Sequence, residues 1–300
     1  MRTRLIAILT VVCLLASGCK DDFVEPAYIH VEGMKVIPST NEPVSTEEGF
    51  YTSEITSLYV IAYYSGSRAQ DTLGLFELPF TIPVLHNGEV EYFEFAPAVK
   101  QSGVAGTQPY YPFYNRVRRE KATLVPGDTV DFDTVATTYA VTRADVLMGE
   151  FFEPTEGSLL FDSVVTWHRH AGAEACSGLG YGSVHVDEGQ SSVPFTINLD
   201  FHVTDPTKIV YLELDTRSDI RFEVYMHASP VTGGVEEQQR VMVVNATDHW
   251  QHLYINLGRT WSWFNYPSTF RLSFAALNVE GKSGEVRLDN VKVLTTNHVL

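Results

Sequence analysis

Trp261, Trp263 and Tyr266 crowd one short segment together with Asn265, Phe264 and Pro267. Flat aromatic rings stack on the C–H faces of sugars, and an amide such as Asn265 bonds their hydroxyls. The same residues serve equally to cap a core or to anchor a protein partner, because aromatic side chains dominate interface hot spots. Pro109-Tyr110-Tyr111-Pro112-Phe113-Tyr114 poses the same choice. Arg116, Arg118 and Arg119 follow it as the one basic cluster of an acidic chain, to be read as an inter-domain contact or an anion-facing patch. His168 and His170 would share one side of a strand, and with Cys176 and His185 they supply ligand types for tetrahedral zinc. Their spacing matches no zinc motif, and Gly172, Gly178, Gly180 and Gly182 loosen the link. An exposed His-x-His beside a lone thiol is the plainer reading.

Catalytic signatures are missing from the sequence. It contains no Gly-x-Ser-x-Gly elbow, no His-Glu-x-x-His and no phosphate-binding glycine loop. A glycosidase needs two facing carboxyls, and 37 acidic residues supply too many candidates to single out a pair. The formal net charge of −16 repels nucleic acid and anionic lipid head groups. The expectation is therefore a binding protein with no nucleic-acid role.

The elements that must position these residues are strands. Ser57–Tyr64 is a β-branched and aromatic run, Leu73–Leu78 and Ile82–Leu85 follow, and Glu89–Phe95 alternates with period two. Asn87-Gly88 lies between apolar runs, which is a hairpin signal, and Pro126-Gly127-Asp128 marks a second turn. Longer alternating runs fill the second half: 193–203, 209–215, 220–226, 239–244, 250–257, 270–277 and 284–294. No amphipathic helix of three turns is visible. Residues 140–152 have the composition for one or two helical turns at a domain junction. The fold class expected is all-β, two β-sandwich domains in tandem, with residues 27–145 a small sandwich and 150–300 a jelly roll.

Three resemblances sharpen this reading. The basic, apolar and small-residue pattern of residues 1–18 is that of a secretory signal, and its apolar run is short of the roughly 20 residues a span needs. Ala16-Ser17-Gly18-Cys19 resembles a bacterial lipobox, with Ala16 where leucine is usual, and Lys20-Asp21-Asp22 resembles the export signal of Bacteroidota surface lipoproteins. This implies acylation of Cys19, a tether over 19–26, and display at the outer membrane. Cys13 leaves with the signal, so Cys176 has no disulfide partner within the chain. Asp71-Thr72-Leu73, Asp128-Thr129-Val130, Asp133-Thr134-Val135 and Asp162-Ser163-Val164 resemble the O-glycosylation sequence of such exported proteins.

The stretch from Gly74 through Pro79 to Gly88 and Val90 resembles PEGA-like and carboxypeptidase-regulatory-like sandwiches. The Trp250 strand, the Phe270 strand and Leu288-Asp289-Asn290-Val291 resemble galactose-binding-like jelly rolls and carbohydrate-binding modules. In such jelly rolls the closing-strand Asp often holds a structural calcium beside an acidic residue of the first strand. The resemblance thus implies Glu153 and Asp289 as calcium ligands, a staple rather than a catalyst; alternatively, Asp289 and Asn290 end a hairpin and pair locally. The role expected first is a lipid-anchored accessory component of a surface complex. The alternative is a glycan-capturing lipoprotein using Trp261, Trp263, Asn265 and Tyr266, and a glycoside hydrolase comes third.

Overall fold

The computed structural model describes residues 25–40, 45–47, 49–65, 70–85, 90–120, 124–153, 168–203, 205, 207–264 and 268–296. The signal 1–18, Cys19, the Asn87-Gly88 turn, Asp162-Ser163-Val164, Asn265 and Tyr266 lie outside the described residues. The protein is an all-β assembly of sandwiched sheets, with a single short helix among the described residues, Gly258–Trp261.

The N-terminal half holds β1 (Ala27–Val31), β2 (Gly33–Val36), β3 (Ser57–Tyr64), β4 (Gln70–Glu77), β5 (Phe80–Val84), β6 (Val90–Ala98), β7 (Val117–Glu120), β8 (Thr129–Asp131) and β9 (Thr134–Thr137). They form sheets ordered β4-β3-β6-β7, β5-β1-β8 and β2-β9. Here the hairpin expectation is corrected. β5 pairs with β1 while β6 pairs with β3 and β7, so the two strands belong to different sheets and do not pair with each other. Apolar positions on both strands need burial, and two facing sheets satisfy that as well as one hairpin does. The Pro126-Gly127 turn forms, closed by Asp128 N–H to the Val125 carbonyl at 3.0 Å.

The C-terminal half holds β10 (Ala144–Glu150), β11 (His168–Ala171), β12 (Gly180–Val186), β13 (Ser192–His202), β14 (Val210–Ser218), β15 (Arg221–Pro230), β16 (Glu237–Val244), β17 (Thr247–Asn256), β18 (Ser268–Leu277) and β19 (Gly284–Thr296). One sheet runs β11-β12-β19-β14-β17, with β10 also on β19, and it faces a four-stranded sheet ordered β13-β18-β15-β16. The segment expected as helical turns is instead a turn, closed by Arg143 N–H to the Ala140 carbonyl at 2.7 Å, followed by β10. A strand wins there because β19 offers it a free ladder edge over Ala144–Glu150.

Period-two alternation sorts the side chains of the six-stranded sheet into two opposite layers. Leu212, Leu214, Leu253, Ile255, Val291 and Val293 face the four-stranded sheet and pack with Phe195, Phe222, Phe270 and Phe274. Tyr211, Tyr254 and Leu294 point the other way, into the N-terminal core beside Phe50, Tyr111, Tyr114 and Tyr139. Each large apolar side chain so buried contributes roughly 1.5–3 kcal/mol. The sheet is therefore a middle layer, and its strands β14 and β19 are buried on both faces.

Candidate functional site

The expected aromatic platform divides. Trp261 is a core residue, 6% exposed, with its ring 4.7 Å from Phe270. Phe264 is buried against the same Phe270. Trp263, two residues on, is 68% exposed. The helix Gly258–Trp261 turns one indole inward and leaves the next outside, so Trp261 is corrected from ligand-binding residue to core cap. In the N-terminal half, Tyr111, Phe113 and Tyr114 are likewise buried, whereas Tyr110 stays partly open.

Glu153 and Asp289 both hold one loop. Glu153 accepts the Leu179 N–H at 3.0 Å and 3.2 Å through its two oxygens. Asp289 accepts from the N–H groups of Cys176 at 3.0 Å, Ser177 at 3.4 Å and Asn290 at 2.8 Å. Calcium wants six to eight oxygen ligands, yet these carboxylates face the positive ends of backbone N–H dipoles. The donor set does not fit the ion, and loop clamping is the role the geometry gives this pair. The zinc candidates also part: His170 stacks on Tyr181 at 4.7 Å, and His185 lies 3.5 Å from Asp187. Cys176 sits in neither place. Burial and the nearby Asp215 and Asp289 charges push its thiol up, which makes it a poor nucleophile.

A charged layer lies between the halves. Across the β14–β19 and β14–β17 ladders, Lys292 faces Glu213 and Asp289 faces Asp215, while His252 faces Asp215 from the other side. Lys292 Nζ lies 3.0 Å from Glu213 and donates to the Phe50 carbonyl at 2.6 Å. Gly49, at φ +89°, permits that approach, since a Cβ there would collide with Asn290 and Ser177. Tyr111 and Tyr139 hydroxyls donate to Glu213, the latter at 2.8 Å. Burial works against the Glu213 anion, but Lys292 and His252 outweigh it and hold the carboxyl at about 2. Burial likewise opposes the His252 cation, yet Asp215 and Glu213 raise it to about 9. Asp289 is pushed up to about 8 by burial and by the Asp215 charge, against its backbone donors. This layer is sealed on both sides and functions as a joint.

The open chemistry lies on the outer face of the four-stranded sheet. Phe222, Val224, Met226 and Ala228 point into the core, so Glu223, Tyr225, His227 and Ser229 point outward. Register aligns them in cross-strand ranks. Thr196, Ser273, Tyr225 and Arg240 form one rank, and Asp200, Arg271, His227 and Gln238 form the next. Tyr225 donates to Glu223, which also accepts from Arg240 at 2.6 Å. His227 Nδ1 lies 3.0 Å from Glu236, and its Nε2 lies 2.6 Å from the Ser273 hydroxyl. Arg271 donates to Glu236 at 2.6 Å and Ser229 does so at 3.0 Å. Three carboxylates, Glu223, Glu236 and Asp200, stand among two guanidiniums, giving a cross-linked field of donors and acceptors.

Hydrogen bonds from Tyr225 and Arg240 lower Glu223, against partial burial. At Glu236 burial raises the carboxyl, but Ser229, His227 and Arg271 bring it below its ordinary value. Neither is held as an acid. These residues escaped the reading of chemical motifs, although the alternation Arg221-x-Glu223-x-Tyr225-x-His227-x-Ser229 carries the signal: every outward position can form hydrogen bonds.

No family model matches the chain, and no curated protein matches it. Among solved structures it is similar to the family 30 carbohydrate-binding module of a cellulosomal cellulase of Clostridium thermocellum, at 18% identity over 50% of this chain and 92% of that one, TM-score 0.35. It is also similar to a xylan-binding domain of Paenibacillus barcinonensis, at 13% identity over 53% and 99%, TM-score 0.36. A carbohydrate-binding module of the β-sandwich superfamily is similar over 79% of this chain and 84% of that one, at 9% identity and TM-score 0.38. These are distant likenesses among β-sandwiches, and no ligand is carried over from them.

Proposed function

We propose that the protein captures a glycan on the outer face of the four-stranded sheet, without hydrolysing it, and that acyl chains on Cys19 hold it at the outer membrane surface. The observation that carries this reading is the preorganised field around Tyr225, His227 and Arg271. Sugars offer many hydroxyls, so they suit a field of paired donors and acceptors already held in place across the strands. The fixed network lowers the ordering cost of binding. A hydrolase would need one carboxyl kept protonated to donate to the leaving oxygen, whereas Glu223 and Glu236 are both shifted toward the anion. The sheet face supports capture over the accessory-subunit role, since its exposed centre is polar rather than apolar.

A glycan array probed with the purified protein, followed by calorimetry on the strongest neutral oligosaccharide, tests the reading. Tyr225→Ala and Arg271→Ala are expected to weaken binding about tenfold or more each, the range of a central contact. Binding that survives both substitutions, or bond cleavage in the bound oligosaccharide, overturns it.

A further inference from the structure

A recess lies where the two halves meet, a groove of about 410 Å³ lined by Tyr110 and Gln101 on one side and by Lys208, Asn256 and Arg259 on the other. That volume falls within the roughly 300–1,000 Å³ of small-ligand sites. Its chemistry runs against the rest of the molecule. The chain carries a net charge of −16, yet the ionisable side chains lining this groove, apart from the Tyr110 and Tyr211 phenols, are both cations.

Among the described residues, neither Lys208 nor Arg259 has a carboxylate within ion-pair distance. Asp205, on the loop that carries Lys208, is occupied by the Thr207 N–H at 2.9 Å and the Thr207 hydroxyl at 2.6 Å. Behind Tyr110 stand two more cations. The Arg116 guanidinium, itself paired with Glu94 at 2.8 Å, lies 5.0 Å from its ring centroid, and Arg143 reaches its hydroxyl at 3.4 Å. Gln101 Oε1 accepts from the Tyr211 hydroxyl at 2.9 Å and from Asn256 at 3.4 Å, which turns its amide N–H₂ away as a donor. The side-chain groups left to a ligand in the groove are thus the Gln101 amide N–H₂ and the Lys208 and Arg259 cations, set beside the Tyr110 ring and the edges of Pro109 and Pro112.

We propose that this groove holds a carboxylate-bearing sugar residue of an acidic glycan. Lys208 and Arg259 pair with the carboxylate, the Gln101 amide bonds a ring or hydroxyl oxygen, and the pyranose face lies on Tyr110. The inference rests on the glycan reading of the protein but uses a different site, so the two can fail separately. An acidic peptide offers the same charge without the hydroxyls or the flat apolar face.

The test is calorimetry at low salt with tetragalacturonate and a glucuronate-containing hyaluronan tetrasaccharide, each beside its methyl ester, and with an acidic octapeptide. At least one acid form is expected to bind, with its ester about tenfold weaker, and Lys208→Ala or Arg259→Ala reducing affinity about fivefold or more. Tyr225→Ala should leave this binding unchanged. The proposal is overturned if neither acid binds, if the ester binds equally, if both cation variants bind as the parent does, or if the octapeptide binds as tightly. Acid binding that depends on Arg259, without any neutral-glycan binding, would sink the sheet-face reading alone.

Discussion

The C-terminal sandwich writes nearly the same polar alphabet on two faces. On the six-stranded sheet the set is Glu213, Asp215, His252 and Lys292; on the four-stranded sheet it is Glu223, Glu236, His227, Arg240 and Arg271. Each joins carboxylate, imidazole and cation across neighbouring strands. The first is sealed, with Glu213 and Lys292 side chains both 0% exposed. The second is open, with Arg240 56% exposed. Sealing turns mutual attraction into a joint between layers, because charges taken from water must keep their partners. Opening leaves the same attraction screened and weak for stability, while the groups remain aligned for a ligand. What distinguishes a joint from a binding face here is the layer laid over it.

Removing one sealed partner should break the comparison most strongly. Lys292→Met leaves buried Glu213 without its nearest cation and is expected to cost about 3–5 kcal/mol in urea unfolding. A loss below about 1 kcal/mol would mean that the layer does not join the halves. Adding Glu213→Leu to that variant should recover part of the loss, since an apolar pair needs no counter-charge.

The pH profile comes next. His252 titrates at about 9 when folded against 6.5 ordinarily, so its contribution is full below about pH 6.5 and is lost as pH rises through 9. Asp289, at about 8 against 3.8, adds a penalty that grows between those values. Glu213, at about 2, contributes above its ordinary value of 4.5 and loses that contribution as pH falls toward 2. Stability should therefore peak near pH 4 and fall by several kcal/mol toward pH 9, at about 1.4 kcal/mol per shifted unit. A flat urea midpoint from pH 5 to 9 would contradict the sealed layer. The smallest expected effect is on the open face, where Arg271→Ala should change stability by under about 1 kcal/mol while weakening glycan binding.

The strands were legible because alternation survives in sequence: Val193–His202, Tyr211–Asp215 and Gly284–Leu294 all lie on strands seen in the structure. Their surroundings were not. Glu213 and Asp215 alternate with Leu212 and Leu214 just as solvent-facing residues would, and the tyrosines that cover Glu213 come from 102 and 74 positions upstream. Asn87-Gly88 signals a local reversal of the chain, while pairing is decided by which sheet has a free edge. Trp261 and Trp263 are the same residue type two positions apart, and only the helical turn separates core from surface. The sheet-face residues were visible as an outward hydrogen-bonding register, a pattern with no motif name.

β19 has a consequence for the order of events in folding. Its Lys292 closes a contact with Phe50 across 242 positions, and its Leu294 belongs to the N-terminal core. Contacts so distant in sequence are slow to form, because the loop must close before they return anything. The N-terminal half therefore cannot finish ahead of the rest as a ribosome delivers it; its last wall arrives with β14, β17 and β19. Both halves are therefore set in one late step.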